Sequence, residues 1–120
     1  MTADAAVNPD SSGRPSPIIV RLYELKTVAG FNRADFFSLW DREQDTLSAD
    51  LVAREEIQLR PGEQRTIERP ADPDARQLAV VAAYRNLERA DWRRAVPIKP
   101  NQVNVIAVVV GARSVGMTAP

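Results

Sequence analysis

IIVRLYEL, Ile18–Leu25, is the stretch whose reading decides the fold. Ile18, Val20 and Leu22 alternate onto one face, with Arg21 and Tyr23 on the other beside Ile19 and Leu25. A period of two is the signature of a half-buried antiparallel strand rather than a helix. On its N-terminal side stands NPDSSGRPSP, Asn8–Pro17, where every residue type favours turns and nothing can build a core. Before that, TADAAV has only weak strand character.

On the C-terminal side the period changes. FNRADFFSLWDREQDTLSADL places Phe36, Leu39 and Trp40, then Leu47 and Leu51, at helical spacing. Asn32 is placed to cap the first helix, with Asp35 in its third position. The polar DREQD centre predicts two short helices rather than one long one. The helical insertion is expected over about 32–52. The cluster of Phe31, Phe36, Phe37 and Trp40 is the face expected to dock these helices onto a sheet.

Beyond the insertion the chain returns to strands. EEIQLRPGEQRTIER reads as a hairpin with Ile57 and Leu59 inward and a type II turn at Pro61-Gly62. PADPDA is a further turn. QLAVVAAYRNL puts Leu78, Val80, Ala82 and Tyr84 on one face and Ala79, Val81 and Ala83 on the other. Two apolar faces predict a central strand, or one covered by the helices. Val96 and Ile98 form a short strand around Pro97, whose missing N–H confines it to an edge or bulge. In QVNVIAVVVGARSV, Val103 and Val105 alternate with Asn104, IAVVV is apolar on both sides, and Gly111 ends the strand. Six to eight short strands without βαβ alternation predict a mainly β, two-sheet antiparallel sandwich, with the helical insertion after the second strand.

The 120 residues fit a single domain, residues 1–120, long enough to bury a core. Sixteen basic and sixteen acidic residues cancel, and the basic ones are dispersed, so no nucleic-acid footprint is expected. The chain has no cysteine and no histidine. That excludes disulfides, thiol nucleophiles, Ser-His-Asp relays and the usual zinc ligands.

The remaining chemical candidates are carboxylate groupings: Glu55-Glu56, Asp72 with Asp74, and Asp41 with Glu43 and Asp45. Glu55 and Glu56 are strand neighbours pointing to opposite faces. Asp72 and Asp74 flank Pro73 in a turn, where Asp caps backbone. DREQD lacks the glycine and spacing of a calcium loop. The glycines of LRPGEQ and VVGARSVG do not follow phosphate-loop spacing. Neither catalysis nor a cofactor or metal is expected. Trp92, between Asp91 and Arg93-Arg94, is either a binding anchor or a core plug.

Taken in order, NPDSSGRPSPIIVRLYELK, ADFFSLWDREQDTLSADLV, LRPGE and VVAAYRNLERADWR make the chain resemble the TssJ (SciN/VasD-like) lipoprotein family of the type VI secretion system. The resemblance runs from Asn8 to about Val110. It implies a transthyretin-like β-sandwich without enzymatic activity or cofactor, lipid-anchored on the periplasmic face of the outer membrane. The implied partner is the periplasmic C-terminal part of TssM, within a membrane complex that also contains TssL. The family's contact with TssM is attributed to the loop joining the first two strands. Here that loop maps onto Asn8, Pro9, Asp10, Ser11, Ser12, Gly13, Arg14, Pro15 and Ser16, with TADAAV as the remnant of the first strand.

One departure accompanies the resemblance. The family's acylated N-terminal cysteine is missing, because the chain has no Cys. MTADAAVN reads as an initiating Met on a shortened chain, so signal peptide, lipidated cysteine and tether are expected upstream. The loop suits a binding role on physical grounds as well. Pro9, Pro15 and Pro17 reduce the ordering cost of binding, and Arg14 can make a bidentate contact. The competing functional class is a small carbohydrate-binding or hydrolytic sandwich, which requires a pocket holding paired carboxylates or a stacked Trp.

Overall fold

The structure, a computed structural model, describes residues 1–68 and 70–118. Among these residues seven strands form two sheets packed face to face. One sheet, in the order β3-β2-β4-β5, comprises Ile18–Leu25 (β2), Leu51–Leu59 (β3), Gln77–Ala82 (β4) and Arg93–Pro97 (β5), all antiparallel. The other, in the order β1-β6-β7, comprises Thr2–Ala3 (β1), Ala107–Val110 (β6) and Val115–Thr118 (β7). The pairing of β1 with β6 is parallel, the one departure from an antiparallel arrangement among these strands.

The alternation in β2 has the predicted consequence. Ile18, Val20 and Leu22 enter the core between the sheets, with Ile57 and Leu59 from β3, Val80 and Ala82 from β4, and Val108 and Val110 from β6. The opposite face of the larger sheet is buried too. Tyr23, Leu25, Ala79 and Val81 are covered by Phe31, Phe36, Leu39 and Leu47 from the helical insertion. Each fully buried side chain of this size contributes about 2 kcal/mol. The two apolar faces of QLAVVAAYRNL therefore have two causes at once: β4 is central, and the helices cover its second side.

The insertion differs in detail from the expectation. It consists of three short helices, Ala29–Arg33 (α1), Phe36–Asp41 (α2) and Glu43–Leu47 (α3), and a 3-10 turn over Ser48–Asp50. Asn32 lies inside α1 and caps nothing. Asp35 is the N-cap instead, its carboxylate accepting the Ser38 N–H at 2.7 Å at the start of α2. Leu51 is not helical and opens β3. Of the aromatic group, Phe31 and Phe36 dock as expected and Trp40 stacks on Phe36 at 5.2 Å. Phe37 points outward and is 64% exposed.

A cluster of charges ties the insertion to the sheet. Glu43 on α3 accepts from the Tyr23 hydroxyl at 2.8 Å and pairs with Arg54 at 2.6 Å and Arg21 at 3.3 Å. Arg21 also bonds Glu56 at 2.8 Å and the Trp40 carbonyl at 2.7 Å, while stacking 3.8 Å over the Trp40 ring.

The hairpin expected after β3 does not form. Pro61-Gly62 does turn, with Gly62 at φ +78° and the Glu63 N–H reaching the Arg60 carbonyl at 3.0 Å. The second arm then crosses to the other sheet, where Gln64 bridges Thr2 and the Arg65 N–H reaches the Met1 carbonyl. Among the described residues the outer edge of β3 stays open, and the arm is held on β1 instead, where the Ala3 N–H also donates to the Glu63 carbonyl at 2.8 Å. Arg69, the last residue of the expected hairpin, lies outside the described residues, as do residues 119–120 of the expected 1–120 domain.

Pro97 ends the edge strand β5, as its missing donor requires. Ile98 falls just beyond that strand. The last apolar run is shorter than its composition suggested. Val103 and Val105 precede β6 and are 59% and 73% exposed, and Val109 faces outward. After Gly111 the chain turns back as β7, a strand not anticipated in the sequence. Backbone bonds of Asp91 with Arg113 and Val115 lace this margin to the β5 side.

Candidate functional site

The loop between β1 and β2 is shaped by Asp10. Its carboxylate accepts the N–H groups of Ser12 at 2.9 Å and Arg14 at 3.0 Å. Its backbone N–H donates to the Arg14 carbonyl at 2.8 Å, and its carbonyl accepts from Gly13 at 2.9 Å. This is the local self-bonding that makes Asp a turn former. Gly13 takes φ +80°, a left-handed conformation with no Cβ to oppose it. Arg14 projects outward with its side chain 79% exposed, and its 3.5 Å pairing with Asp10 is too solvated to contribute more than a few tenths of a kcal/mol. Ser11, Ser12, Arg14 and Pro15 are exposed, and Pro9, Asp10 and Ser16 are half-buried.

Both ends of the loop are clamped. Val7 is fully buried, and its carbonyl accepts the Ser16 N–H at 3.0 Å. Asn8 is also buried, at 4% exposure, with a left-handed φ of 51° that Asn tolerates better than most residues. Its side chain donates to the Pro17 carbonyl at 3.0 Å and accepts the Arg85 N–H at 2.8 Å. Its backbone N–H donates to the Ala112 carbonyl at 3.1 Å. The nine residues expected to act together therefore divide. Asn8 is an internal fastener, and the segment from Pro9 to Ser16 carries the accessible surface.

Asn8 also joins two loops that sequence reasoning missed: the turn after β4 at Arg85-Asn86, and the β6–β7 turn at Ala112-Arg113. With Pro9, Asp10 and Ser11 they enclose a surface groove of about 430 Å³. Tyr84 forms its floor, with the hydroxyl donating to the Gly111 carbonyl at 2.9 Å and burial pushing the phenol pKa up. No local motif marks Arg85, Asn86 or Arg113. The signal available was topological, since β4 runs antiparallel to β2 and so ends where β2 begins.

The other candidates are structural. Trp92 packs against both cores and meets the Phe36 ring edge-on at 5.2 Å, so it is a core plug. Arg93 stacks 4.6 Å from its ring and bonds the Phe31 carbonyl at 2.8 Å, closing the end of α1. Asp72 caps Asp74 at 2.9 Å, as a turn Asp should. Glu43 and Glu56 are ion-paired with Arg21 and Arg54. Among the described residues no group of three or more acidic, Cys or His side chains is placed to hold a metal ion. No helix there is long and apolar enough to cross a membrane.

The chain matches the family model described as "Type VI secretion lipoprotein, VasD, EvfM, TssJ" over residues 1–113. Among solved structures it is similar to the T6SS lipoprotein TssJ1 from Pseudomonas aeruginosa. The identity is 44%, the TM-score 0.94, and the match covers 99% of this chain and 91% of that one. It is also similar to Serratia marcescens Lip, a membrane-bound component of the type VI secretion system, at 28% identity and TM-score 0.88 over 99% and 92% of the two chains. A chain in the structure described as the T6SS protein TssM C-terminal domain from EAEC shares the fold at 24% identity and TM-score 0.80, over 98% and 95%. No curated protein matches the chain.

Proposed function

The chain belongs to the type VI secretion lipoprotein (TssJ) family, and from that premise we propose that it is a non-catalytic assembly subunit docking the periplasmic C-terminal part of TssM. The contact surface is the β1–β2 loop, with Pro9, Asp10, Ser11, Ser12, Gly13, Arg14, Pro15 and Ser16 facing the partner. Asn8 holds the loop in place from beneath. In this reading the protein works as a lipoprotein on the periplasmic face of the outer membrane, in a complex that includes TssL.

The observation that carries the reading is the combination of exposure and order in one segment. The loop is exposed at its tip, yet Asp10, Gly13 and the prolines fix its backbone and Asn8 and Val7 fix its ends. A surface already ordered before binding loses little entropy on docking, which favours a modest polar contact of roughly micromolar affinity. The test is replacement of residues 9–14 by a short Gly-Ser bridge, followed by titration with the TssM periplasmic domain. The variant should fold and fail to bind; unchanged affinity would exclude the loop as the docking element.

A further inference from the structure

Arg85 and Arg113 line the groove beside the docking loop, and both are exposed. Neither forms a salt bridge among the described residues, so both guanidinium groups are available to an incoming carboxylate. Their backbones are nevertheless fixed. The Arg85 N–H is held by Asn8, and the Arg113 carbonyl accepts the Asp91 N–H at 2.8 Å. Two guanidinium groups carried on pinned backbone, at a groove that also offers the Ser11 hydroxyl and the Asn86 amide, bring several donors to one place.

We infer that this groove receives an acidic side chain of the protein that the loop docks, read by Arg85 and Arg113. The inference rests on the docking function proposed above and adds the chemistry of the occupant. A carboxylate is favoured over a polyanion on two counts. Asp10 forms part of the groove wall and would repel a run of phosphates. The chain has formal net charge +0, so no wider field gathers nucleic acid or anionic lipid. One or two carboxylates presented by a folded partner fit a pair of cations at a groove of this size.

The experiment is biolayer interferometry of the chain against the TssM periplasmic domain at low and high salt. It compares wild type, the loop replacement, R85Q/R113Q, R85K/R113K and the exposed control R33Q, with thermal melts to verify folding. R85Q/R113Q should weaken binding at least about tenfold and flatten its salt dependence. R85K/R113K should recover part of the loss, and R33Q should match wild type. Affinity of R85Q/R113Q within about twofold of wild type, while the loop replacement abolishes binding, would overturn the groove assignment and leave the docking reading intact. Failure of the wild type to bind would remove both. A parallel arm uses phosphatidylcholine vesicles with and without phosphatidylglycerol. Arginine-dependent binding to the anionic vesicles, with partner affinity unaltered by R85Q/R113Q, would overturn the inference in favour of lipid phosphate.

Discussion

The side-chain oxygen of Asn8 accepts the backbone N–H of Arg85 at 2.8 Å, across 77 residues of sequence. With the Asn8 amide bonded to Pro17, this one side chain sets the position of the β1–β2 loop relative to the turn that follows β4. Removing it leaves a backbone donor and a backbone acceptor without partners and forces a non-Gly residue to hold φ 51°. Asn8→Ala should therefore destabilise the fold by roughly 2–4 kcal/mol. Asn8→Gly should recover the conformational part, about 1 kcal/mol, but not the hydrogen bonds. Denaturant midpoints check both, and partner affinity should fall in both because the loop loses its fixed position.

Glu43 is the second fastener, joining the helical insertion to β2 and β3. Its carboxylate serves Tyr23, Arg21 and Arg54 at once, and its side chain is 16% exposed. Glu43→Ala leaves Arg21 and Arg54 with Glu56 but strands the buried Tyr23 hydroxyl, and should cost roughly 1–3 kcal/mol. Glu43→Gln retains shape and some bonding and should cost roughly half as much. Thermal unfolding measures the difference. Binding by the folded fraction should be unchanged, since none of these groups lines the groove.

Alkaline pH should weaken the fold through its two buried tyrosines. Burial first, then the bond to Glu43, pushes the Tyr23 pKa up to about 12 from 10.0, and Tyr84 moves in the same direction. The folded state keeps these protons where the unfolded chain has released them. The stabilisation is thus complete below about pH 10 and is lost as pH rises to about 12, by roughly 2–3 kcal/mol for Tyr23 alone. Denaturant titrations across that window should show a falling midpoint with a shallower slope in Tyr23→Phe. That variant should pay about 1 kcal/mol at neutral pH for the lost Glu43 bond.

The parts of the fold legible in the sequence are those governed by neighbours a few residues apart. The alternation of Ile18, Val20 and Leu22 sets β2, the double apolar face of Leu78–Tyr84 sets β4 beneath the helices, and Pro97 marks an edge. What was misread depended on distant pairing. Gln64 leaves the expected hairpin to bridge Thr2, a partner distant in sequence, although the outer edge of β3 is open. Asn32 and Asp35 are both good caps, but α1 already begins at Ala29, so only Asp35 stands at a helix start. Val103 and Val105 are apolar enough for a buried strand but have no sheet opposite them. The site divides in the same way. Asp10, Gly13 and the prolines announce a shaped turn locally, whereas Arg85, Asn86 and Arg113 join it only through topology and the Asn8 side chain.

The central claim, that the partner is met at the β1–β2 loop end of the sandwich, is tested most directly by hydrogen–deuterium exchange of the chain with and without the TssM periplasmic domain. Protection should appear at the amides of residues 10–14 and at those of 85–86 and 112–113, with the free edge of β3 unchanged. Protection confined to β3 or to the helical insertion, with the loop exchanging as in the free protein, would contradict the account.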